Sequence, residues 1–358
     1  MQILKADQIK IVDKFTIENE PIKSIDLMER ASMQCFNWIM ANFPKENGDS
    51  FKIFCGMGNN GGDGLAISRM LIDKGYNTEI FIVKYRENQS QDNQVNEKAL
   101  LKKGIKIKYI NNKSELPLIE KENIVVDALI AAGLSNPIDG LLADVIHKIN
   151  DSSAKVISID VPTGLFCDRT SSENKFVINA DYTLTFQLPK HAFLLPENED
   201  YVGDWHVLPI GLSPEGIKNE KTKNYLVTES DIKHIIKRRK KFSHKGTYGH
   251  ALIIAGSHGS IGAAVLATRA SLKAGVGLST ALIPECGYQI MQTAVPEAMV
   301  KTSGINFLEP DLVRQLKYKY KAIAVGPGIG KEVQTQKALK GIIQNTEIPL
   351  ILDADALN

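Results

Sequence analysis

The sequence predicts an α/β protein whose mostly parallel sheets are covered by helices on both faces. Short apolar strands alternate with helical stretches, beginning with a strand at 51–56 and a helix at 65–74. The alternation pauses at a polar, aperiodic stretch, 213–224, and then restarts. The chain has 358 residues, whereas a single core rarely grows beyond roughly 250–300 residues. We therefore predict two domains, residues 1–213 and 225–358, joined by that polar stretch.

The individual elements follow from the spacing of apolar residues. Between Asp7 and Phe43, apolar residues recur at helical spacing and predict two helices. Further strands of the first domain are predicted at 78–83, 105–110, 124–129, 155–159 and 182–186, with a helix at 93–103. In the second domain, strands are predicted at 251–255, 278–283, 322–325 and 348–352, and helices at 263–273 and 333–344.

The composition excludes several classes of function. A net charge of +2 gives no large field, so we expect no nucleic-acid partner. No apolar run approaches the ~20 residues of a membrane span, and the polar N-terminus lacks the apolar core of a signal peptide. The four cysteines form no CxxC pair, and we expect free thiols in a reducing compartment. These features predict a cytoplasmic protein.

A glycine-rich segment, Gly56–Gly64, joins the first strand to a helix. Its glycines match the GxGxxG pattern in the strand–loop–helix context of a phosphate-binding turn, although a tight turn without a ligand would look the same. The acidic residue that usually binds an adenosine ribose is replaced by Lys84 and Arg86, so an ordinary dinucleotide site is not expected. Asn59, Asn60 and Asp63 add oxygen-bearing side chains that suit a cation or a polar ligand.

Two aspartates stand at the ends of apolar strands. Asp127 lies near the end of 124–129, and Asp160 follows 155–159. Each alone could be a helix N-cap or a turn residue. Because the carboxyl ends of parallel strands meet at one edge of the sheet, we expect both to lie near the glycine-rich segment. Together these residues favour a functional site.

At this point the sequence resembles a known family. The segment Asn59–Gly64, together with Leu27–Ala31 upstream, resembles the NAD(P)H-hydrate epimerase family, also called YjeF N-terminal domains, over residues 1–212. The resemblance implies a Rossmann-like sheet, and a potassium ion held by Asn60, Asp127 and an oxygen of Thr163. Because a carboxylate at a strand end can transfer a proton, we expect Asp160 to be a catalytic acid–base group. Lys190 matches a family lysine near the site and is the second expected catalytic residue. The implied substrate contacts are Asn59, Asn60, Gly61, Gly62, Asp63, Ala131, Ala132, Gly133, Leu134, Ser135, Asn136, Pro137 and Asp160.

The chain departs from the family pattern at two places. Ala131-Ala132-Gly133 stands where the family usually has Gly-Thr-Gly, which removes one threonine hydroxyl from the expected ligand contacts. After Lys190, the family often has Pro-Gly, whereas this chain has His191-Ala192.

The second domain resembles another family. The clusters Gly256–Ala264, Gly326–Gly330 and Asp353–Asn358 resemble the ADP-dependent NAD(P)H-hydrate dehydratase domain, which has a ribokinase-like fold, although each cluster alone could be a tight turn. The resemblance implies that Ala263 and Gly328 contact the hydrated nicotinamide nucleotide, and that ADP or ATP, with Mg²⁺, is a co-substrate. Residues 225–358 match only the front part of that domain. We therefore expect the second domain to be incomplete and inactive in the chain as printed.

The two resemblances together imply repair of hydrated NADH and NADPH. The first domain would interconvert the R and S forms at C6 of the nicotinamide ring, and the full-length protein would dehydrate the S form with ADP. Two alternatives remain open: a non-catalytic nucleotide- or partner-binding module, and a ribokinase-type small-molecule kinase in the second domain. The apolar N-terminal helices could also serve a homo-oligomer.

Overall fold

The chain forms two compact units, Met1–Ile235 and Ile236–Asn358. The computed structural model describes residues 1–134, 136–236, 238–310 and 320–358. Each unit contains a parallel sheet with helices in the connections, which confirms the predicted fold class.

The first unit is built on a seven-stranded sheet in the order β3-β2-β1-β4-β5-β6-β7, with every described pair parallel. Its strands are β1 Ser50–Cys55, β2 Asn77–Val83, β3 Ile107–Ile110, β4 Asn123–Ala128, β5 Lys155–Ile159, β6 Tyr182–Phe186 and β7 Asp204–Leu208. Its helices are α1 Ala6–Asn19, α2 Ser24–Asn42, α3 Asn59–Asp73, α4 Gln91–Lys102, α5 Gly140–Asn150, α6 Glu199–Val202, α7 Pro214–Asn219 and α8 Glu229–Ile235. The sequence patterns did not predict β7.

The central strands are apolar on both sides because helices cover both faces of the sheet. In β1, Ile53 and Cys55 pack into one core cluster with residues of α2 and α3, whereas Phe54 packs into another with residues of α5. Successive side chains of a strand point to opposite faces. The run at 51–55, which is apolar except for Lys52, therefore serves two cores, one on each face.

The chain reverses its direction of travel across the sheet between β1 and β4. From β1 it proceeds through β2 to β3, and it then returns to place β4 on the other side of β1. The connections that leave β1 and β4 consequently diverge at their carboxyl ends. Such a switch point opens a crevice, which is the usual ligand site of an open parallel sheet.

The glycine-rich segment is largely helical, because α3 begins at Asn59. A Cβ on Gly61 would lie 1.9 Å from the carbonyl oxygen of Gly56, and a Cβ on Gly64 would lie 2.6 Å from the Cβ of Ala128. Glycine at these positions lets the first turns of α3 pack directly on the strand ends. The helix predicted at 65–74 therefore starts six residues earlier in the structure.

The polar stretch 213–224, which we expected to be a linker, belongs to the first unit. Ser213 caps the short helix α7 by accepting a hydrogen bond from the Gly216 amide. The Thr222 hydroxyl donates to the Ile3 carbonyl, and the Gln2 side chain donates to the Glu220 carbonyl. This stretch shows no periodic pattern because hydrogen bonds, and not an apolar face, hold much of it in place.

The second unit has a five-stranded parallel sheet in the order β10-β9-β8-β11-β12. Its strands are β8 His250–Ile254, β9 Leu278–Ile283, β10 Met299–Thr302, β11 Ala322–Val325 and β12 Leu350–Leu352, and its described helices are α9 Ile261–Lys273, α10 Tyr288–Ala294 and α11 Val333–Asn345. The order places a second switch point between β8 and β11. Strand β10 was not predicted.

Two properties of the whole chain bear on the sequence predictions. No helix in the described ranges is both long and apolar enough to cross a membrane. The four cysteines are free thiols, as predicted, and three of them, Cys35, Cys55 and Cys167, are buried.

Candidate active site

A cavity of about 660 Å³ opens at the carboxyl edge of the first sheet. It lies at the switch point. Its walls are formed by α1, by the segments that follow β1, β2, β4 and β5, and by Phe186 at the end of β6. Its volume falls within the roughly 300–1,000 Å³ that is usual for small-molecule sites. The position and size indicate a ligand-binding pocket.

Asp160 enters this cavity directly after β5. Its backbone has φ of 62°, a left-handed conformation that is uncommon for residues other than glycine but that aspartate adopts more readily than most. The carboxylate oxygen Oδ1 accepts a hydrogen bond from the Phe186 amide at 3.1 Å and one from the Thr185 hydroxyl at 3.2 Å. Backbone strain that is held in place by surrounding contacts is typical of functional sites.

Lys190 lies behind Asp160 and forms an ion pair with it. The ammonium Nζ is 2.6 Å from Asp160 Oδ1 and 2.9 Å from Thr185 Oγ1. The Lys190 side chain is buried, and the carbonyls of Phe186 and Leu188 complete its surroundings at 3.4 Å each. A buried cation with this many acceptors fixes Asp160 as a carboxylate of defined orientation.

Asp127 lies beneath the cavity and carries a dense set of hydrogen bonds. Its two oxygens accept from the Thr163 hydroxyl at 2.6 Å, the Thr163 amide at 2.8 Å, the Ser158 hydroxyl at 2.8 Å and the Leu129 amide at 3.2 Å. Burial raises the pKa of Asp127, and these hydrogen bonds oppose that rise. Among the described residues, no basic side chain forms an ion pair with Asp127.

Asn60 lines the cavity with an amide that has no partner in the described part of the chain. Both its Oδ1 and its Nδ2 are buried, although buried amide atoms are nearly always hydrogen-bonded. Leu129 and Ile130 line the same cavity, and the Ile130 amide donates to Thr163 Oγ1 at 3.0 Å. A ligand or an ion in this part of the cavity would satisfy the amide of Asn60.

Two further carboxyl groups, those of Asp63 and Asp13, line the cavity and have raised pKa values. Burial raises the pKa of Asp63 well above its usual range, against a hydrogen bond from the Ser32 hydroxyl, and the negative charges of Asp160 and Asp13 raise it further. Burial, and then the charge of Asp160, raise the pKa of Asp13 to about 6, while Lys190 acts in the opposite direction. Both carboxyls therefore hold a proton at a higher pH than an exposed aspartate does.

Comparison with known proteins identifies the family. Residues 24–192 match the family described as YjeF-related protein N-terminus, and residues 251–358 match the family described as NAD(P)H-hydrate dehydratase. A bifunctional NAD(P)H-hydrate repair enzyme of Moorella thermoacetica is 31% identical over 100% of this chain and 69% of its own length. The chain belongs to the family of bifunctional NAD(P)H-hydrate repair enzymes.

Another member of the family agrees with this assignment, and one solved structure matches part of the chain in sequence. The repair enzyme of Thermofilum pendens is also 31% identical, over 100% of this chain and 68% of its own length. An ADP/ATP-dependent NAD(P)H-hydrate dehydratase from Bacillus subtilis, co-crystallised with ATP/Mg²⁺, is 32% identical over 36% of this chain and 46% of that chain, with a TM-score of 0.32. The predicted function, repair of hydrated NAD(P)H by an epimerase domain and a dehydratase domain, is confirmed at the level of the family.

The structure gathers most of the residues that the resemblance to the repair-enzyme family implied. Ten of them line the one cavity: Asn59, Asn60, Asp63, Ala131, Ala132, Gly133, Leu134, Asn136, Pro137 and Asp160. Ser135 lies outside the described residues. The lining at Ala131-Ala132-Gly133, where the family usually has a threonine, is made of small side chains and backbone.

Other residues that were predicted for the site lie behind the cavity wall. Gly61 and Gly62 pack inward, and a Cβ on Gly62 would lie 2.8 Å from the side chain of Met28. Lys190 reaches the cavity only through Asp160, which makes it a positioning residue in this structure. Asp127 and Thr163 bind each other beneath the floor.

Sequence reasoning missed the contribution of α1 to this cavity. Ala6, Ile9, Lys10 and Asp13 all line the cavity. The signal was present, since Asp13 follows Ile9 by four residues and so shares a side of the helix with the apolar stripe. A single carboxylate beside an apolar stripe usually marks a solvated edge, and only the tertiary fold shows that α1 closes the pocket.

In the second unit, the structure brings together the two residues expected to contact the nucleotide. A Cβ on Gly328 would lie 2.9 Å from the Cβ of Ala263. The Ser257 hydroxyl donates to the Gly328 carbonyl at 2.8 Å, and the Gly256 amide donates to the Pro327 carbonyl at 2.8 Å. The segments after β8 and β11 are therefore tied together at the second switch point.

Proposed function

We propose that the first unit interconverts the R and S epimers of hydrated NADH and NADPH, with the hydrated ring in the cavity beside Asp160. One observation carries this proposal. Asp160 is a carboxylate held in a strained, left-handed backbone position at the cavity wall, with the buried Lys190 ion-paired behind it at 2.6 Å. A carboxyl so well oriented, in the same cavity as the unpartnered amide of Asn60, favours proton chemistry on a polar ligand.

Epimerisation at C6 requires the site to transfer a proton. Hydration leaves a hydroxyl on C6, and inversion requires C6 to become planar while a proton moves to or from oxygen. The Asp160 carboxylate can accept such a proton because its second oxygen, Oδ2, receives no hydrogen bond from the described residues. Lys190 orients the carboxylate through Oδ1, without contacting the substrate.

The polar lining supplies binding and orientation. We assign the amides of Asn59 and Asn60, with the segment 131–137, to the hydrated nucleotide. The cationic side chains of Lys10 and Arg86 also line the cavity, and they suit the phosphate groups of that ligand. Asp63, whose pKa is raised, can donate a hydrogen bond as a neutral acid.

The residues present fit a potassium ion. Asn60 offers a buried amide oxygen without a partner, and Asp127 is a buried carboxylate without a basic partner among the described residues. Oxygen donors of this kind suit hard cations. We propose that Asn60, Asp127 and an oxygen of Thr163 hold K⁺, which would offset the buried negative charge and order the cavity floor.

Potassium binding can be tested without turnover. Both tryptophans, Trp38 and Trp205, lie in the first unit, so their fluorescence follows the unfolding of that unit alone. We expect KCl to raise its melting temperature relative to choline chloride at equal ionic strength. Asn60→Ala should abolish the difference, and Asn19→Ala, at the exposed end of α1, should keep it. An equal response of both variants to K⁺ would contradict the assignment.

Epimerisation is tested by incubating the R epimer of hydrated NADPH with the protein and separating R from S by chromatography. We expect Asp160→Asn to slow the conversion by roughly 10²–10⁴-fold, the usual contribution of a general acid–base group. Asp73→Asn is the matched control, because Asp73 lies at the far end of α3 and is exposed. Full activity of Asp160→Asn would refute the assignment, and tight binding without turnover by the unaltered protein would favour the non-catalytic alternative.

We further propose that Ala263 and Gly328 form part of a site for the S epimer in the second unit, with ADP or ATP and Mg²⁺ as co-substrates. The support is the contact between their segments at the second switch point. Calorimetry with the S epimer should show weaker binding by Ala263→Leu, while Ala270→Leu, two turns along α9 and exposed, should bind as the parent chain does. A cytoplasmic location and a homo-oligomer stay predictions.

A further inference from the structure

A second carboxyl group faces Asp160 from a different element. Asp13 lies on α1, whereas Asp160 follows β5, and both line the same cavity. Asp13 is half-buried, and no described residue donates a hydrogen bond to it. Asp160, by contrast, is bound by Lys190, Thr185 and the Phe186 amide. The two carboxyls therefore have different environments within one pocket.

The environment of Asp13 raises the pKa of its carboxyl group. Burial and the charge of Asp160 bring the pKa of Asp13 to about 6, so Asp13 holds a proton near neutrality more often than an ordinary aspartate. Asp160 instead accepts a hydrogen bond from the buried Lys190 ammonium, at 2.6 Å. The other charged groups around the cavity are Lys10, Asp63, Arg86 and Asp139. One protonated and one ionised carboxyl is the arrangement that acid–base pairs use elsewhere.

Inversion at C6 needs two proton transfers on opposite faces of the ring. In one, the departing hydroxyl receives a proton and leaves as water. In the other, an entering water loses a proton as it bonds to C6. A single carboxyl cannot reach both faces at once, which is why inverting reactions of glycosides use two carboxyls with a water molecule between them.

We propose that Asp13 is the second acid–base group of the epimerisation. In one direction, the protonated Asp13 donates its proton to the C6 hydroxyl, the C6–O bond breaks with its electron pair on oxygen, and the ring nitrogen N1 supplies electrons to give a planar iminium. Water then bonds to the opposite face of C6, and Asp160 takes its proton. The opposite direction exchanges the two roles. Composition and oxidation state are unchanged.

The unpartnered amide of Asn60 is a second, independent indication that a polar ligand occupies this pocket. Its two polar atoms are buried, and the residue lines the cavity with Asp13 and Asp160. The inference rests on the proposed epimerase function of the first unit. It adds a residue on α1, outside every segment that the sequence patterns singled out for the site.

The test compares Asp13→Asn with Asp160→Asn in both directions of the reaction. We expect Asp13→Asn to lower kcat by roughly 10²–10⁴-fold in each direction with a much smaller change in KM. In the parent chain, kcat/KM should fall as the pH rises through about 6, because Asp13 then loses its proton. Asp13→Asn should lack this limb of the pH profile. Asp7→Asn, an exposed carboxylate of the same helix, is the control and should keep both the rate and the limb.

The outcomes separate this inference from the function on which it rests. If the parent chain does not epimerise the substrate, the proposed function fails together with the role of Asp13. If Asp160→Asn is inactive but Asp13→Asn keeps the parent rate and pH profile, the epimerase proposal stands and the role of Asp13 is refuted. A second measurement does not depend on any variant: in heavy-oxygen water, the inverted product should carry solvent oxygen at C6. Inversion without the label would overturn the mechanism.

Discussion

Replacing Asp13 by asparagine should make the first unit more stable at neutral pH. The substitution keeps the size and shape of the side chain and removes its charge. In the folded chain, burial and the nearby Asp160 raise the pKa of Asp13 from the model-peptide value of 3.8 to about 6. Ionising this group therefore costs more in the folded protein than in the unfolded chain.

The direction and size of the effect follow from the two pKa values. Between about pH 4 and pH 6, the folded state binds more protons at Asp13 than the unfolded state does. This stability is fully present below the unfolded pKa of 3.8 and is lost as the pH rises through about 6. A difference of about 2.2 in pKa at 1.36 kcal/mol each gives an upper bound of about 3 kcal/mol. Removal of the charge also lowers the pKa of Asp63, which adds to the effect with the same sign.

The assay is urea unfolding followed by tryptophan fluorescence at several pH values from about 4 to about 7.5. Trp38 and Trp205 both lie in the first unit, so the second unit does not contribute to the signal. The stability of Asp13→Asn relative to the parent chain should rise by about 1–3 kcal/mol across that range. Asp7→Asn should show no such rise. A pH-independent difference for Asp13→Asn, or one that falls as the pH rises, would refute the reasoning.

Three further substitutions, one of them a control, test the packing of the site. Lys190→Met leaves Asp160 without its buried cation and should lower the free energy of unfolding of the first unit by roughly 2–4 kcal/mol, which the same fluorescence assay would detect. Gly61→Ala places a Cβ 1.9 Å from the Gly56 carbonyl oxygen and should cost about 1–3 kcal/mol, whereas Gly133→Ala meets nothing within 4 Å and should cost little. Equal stability of the two alanine variants, or an unchanged stability for Lys190→Met, would contradict the described contacts.

The strands were readable from the sequence because parallel strands buried on both faces are short, continuous apolar runs. The strands at 155–159, 182–186, 278–283 and 322–325 have the predicted bounds. Strands β7 and β10 escaped prediction because each is only partly buried and carries polar residues. The early start of α3 escaped because glycines lower helix propensity, and here packing against strand ends outweighs that preference.

The sequence by itself determined the α/β class, the family, and the residues of the strand-end segments, since these depend on local patterns and on motifs that stand together in the chain. Tertiary structure decided which of those residues share a pocket. It placed Asn60 and Asp160 in one cavity, Lys190 behind Asp160, and Asp13 opposite the sheet edge. The physical reason is that burial and charge–charge interactions act through space. The pKa of Asp13 on the first helix is therefore raised by burial and then by the charge of Asp160, almost 150 residues away in the chain.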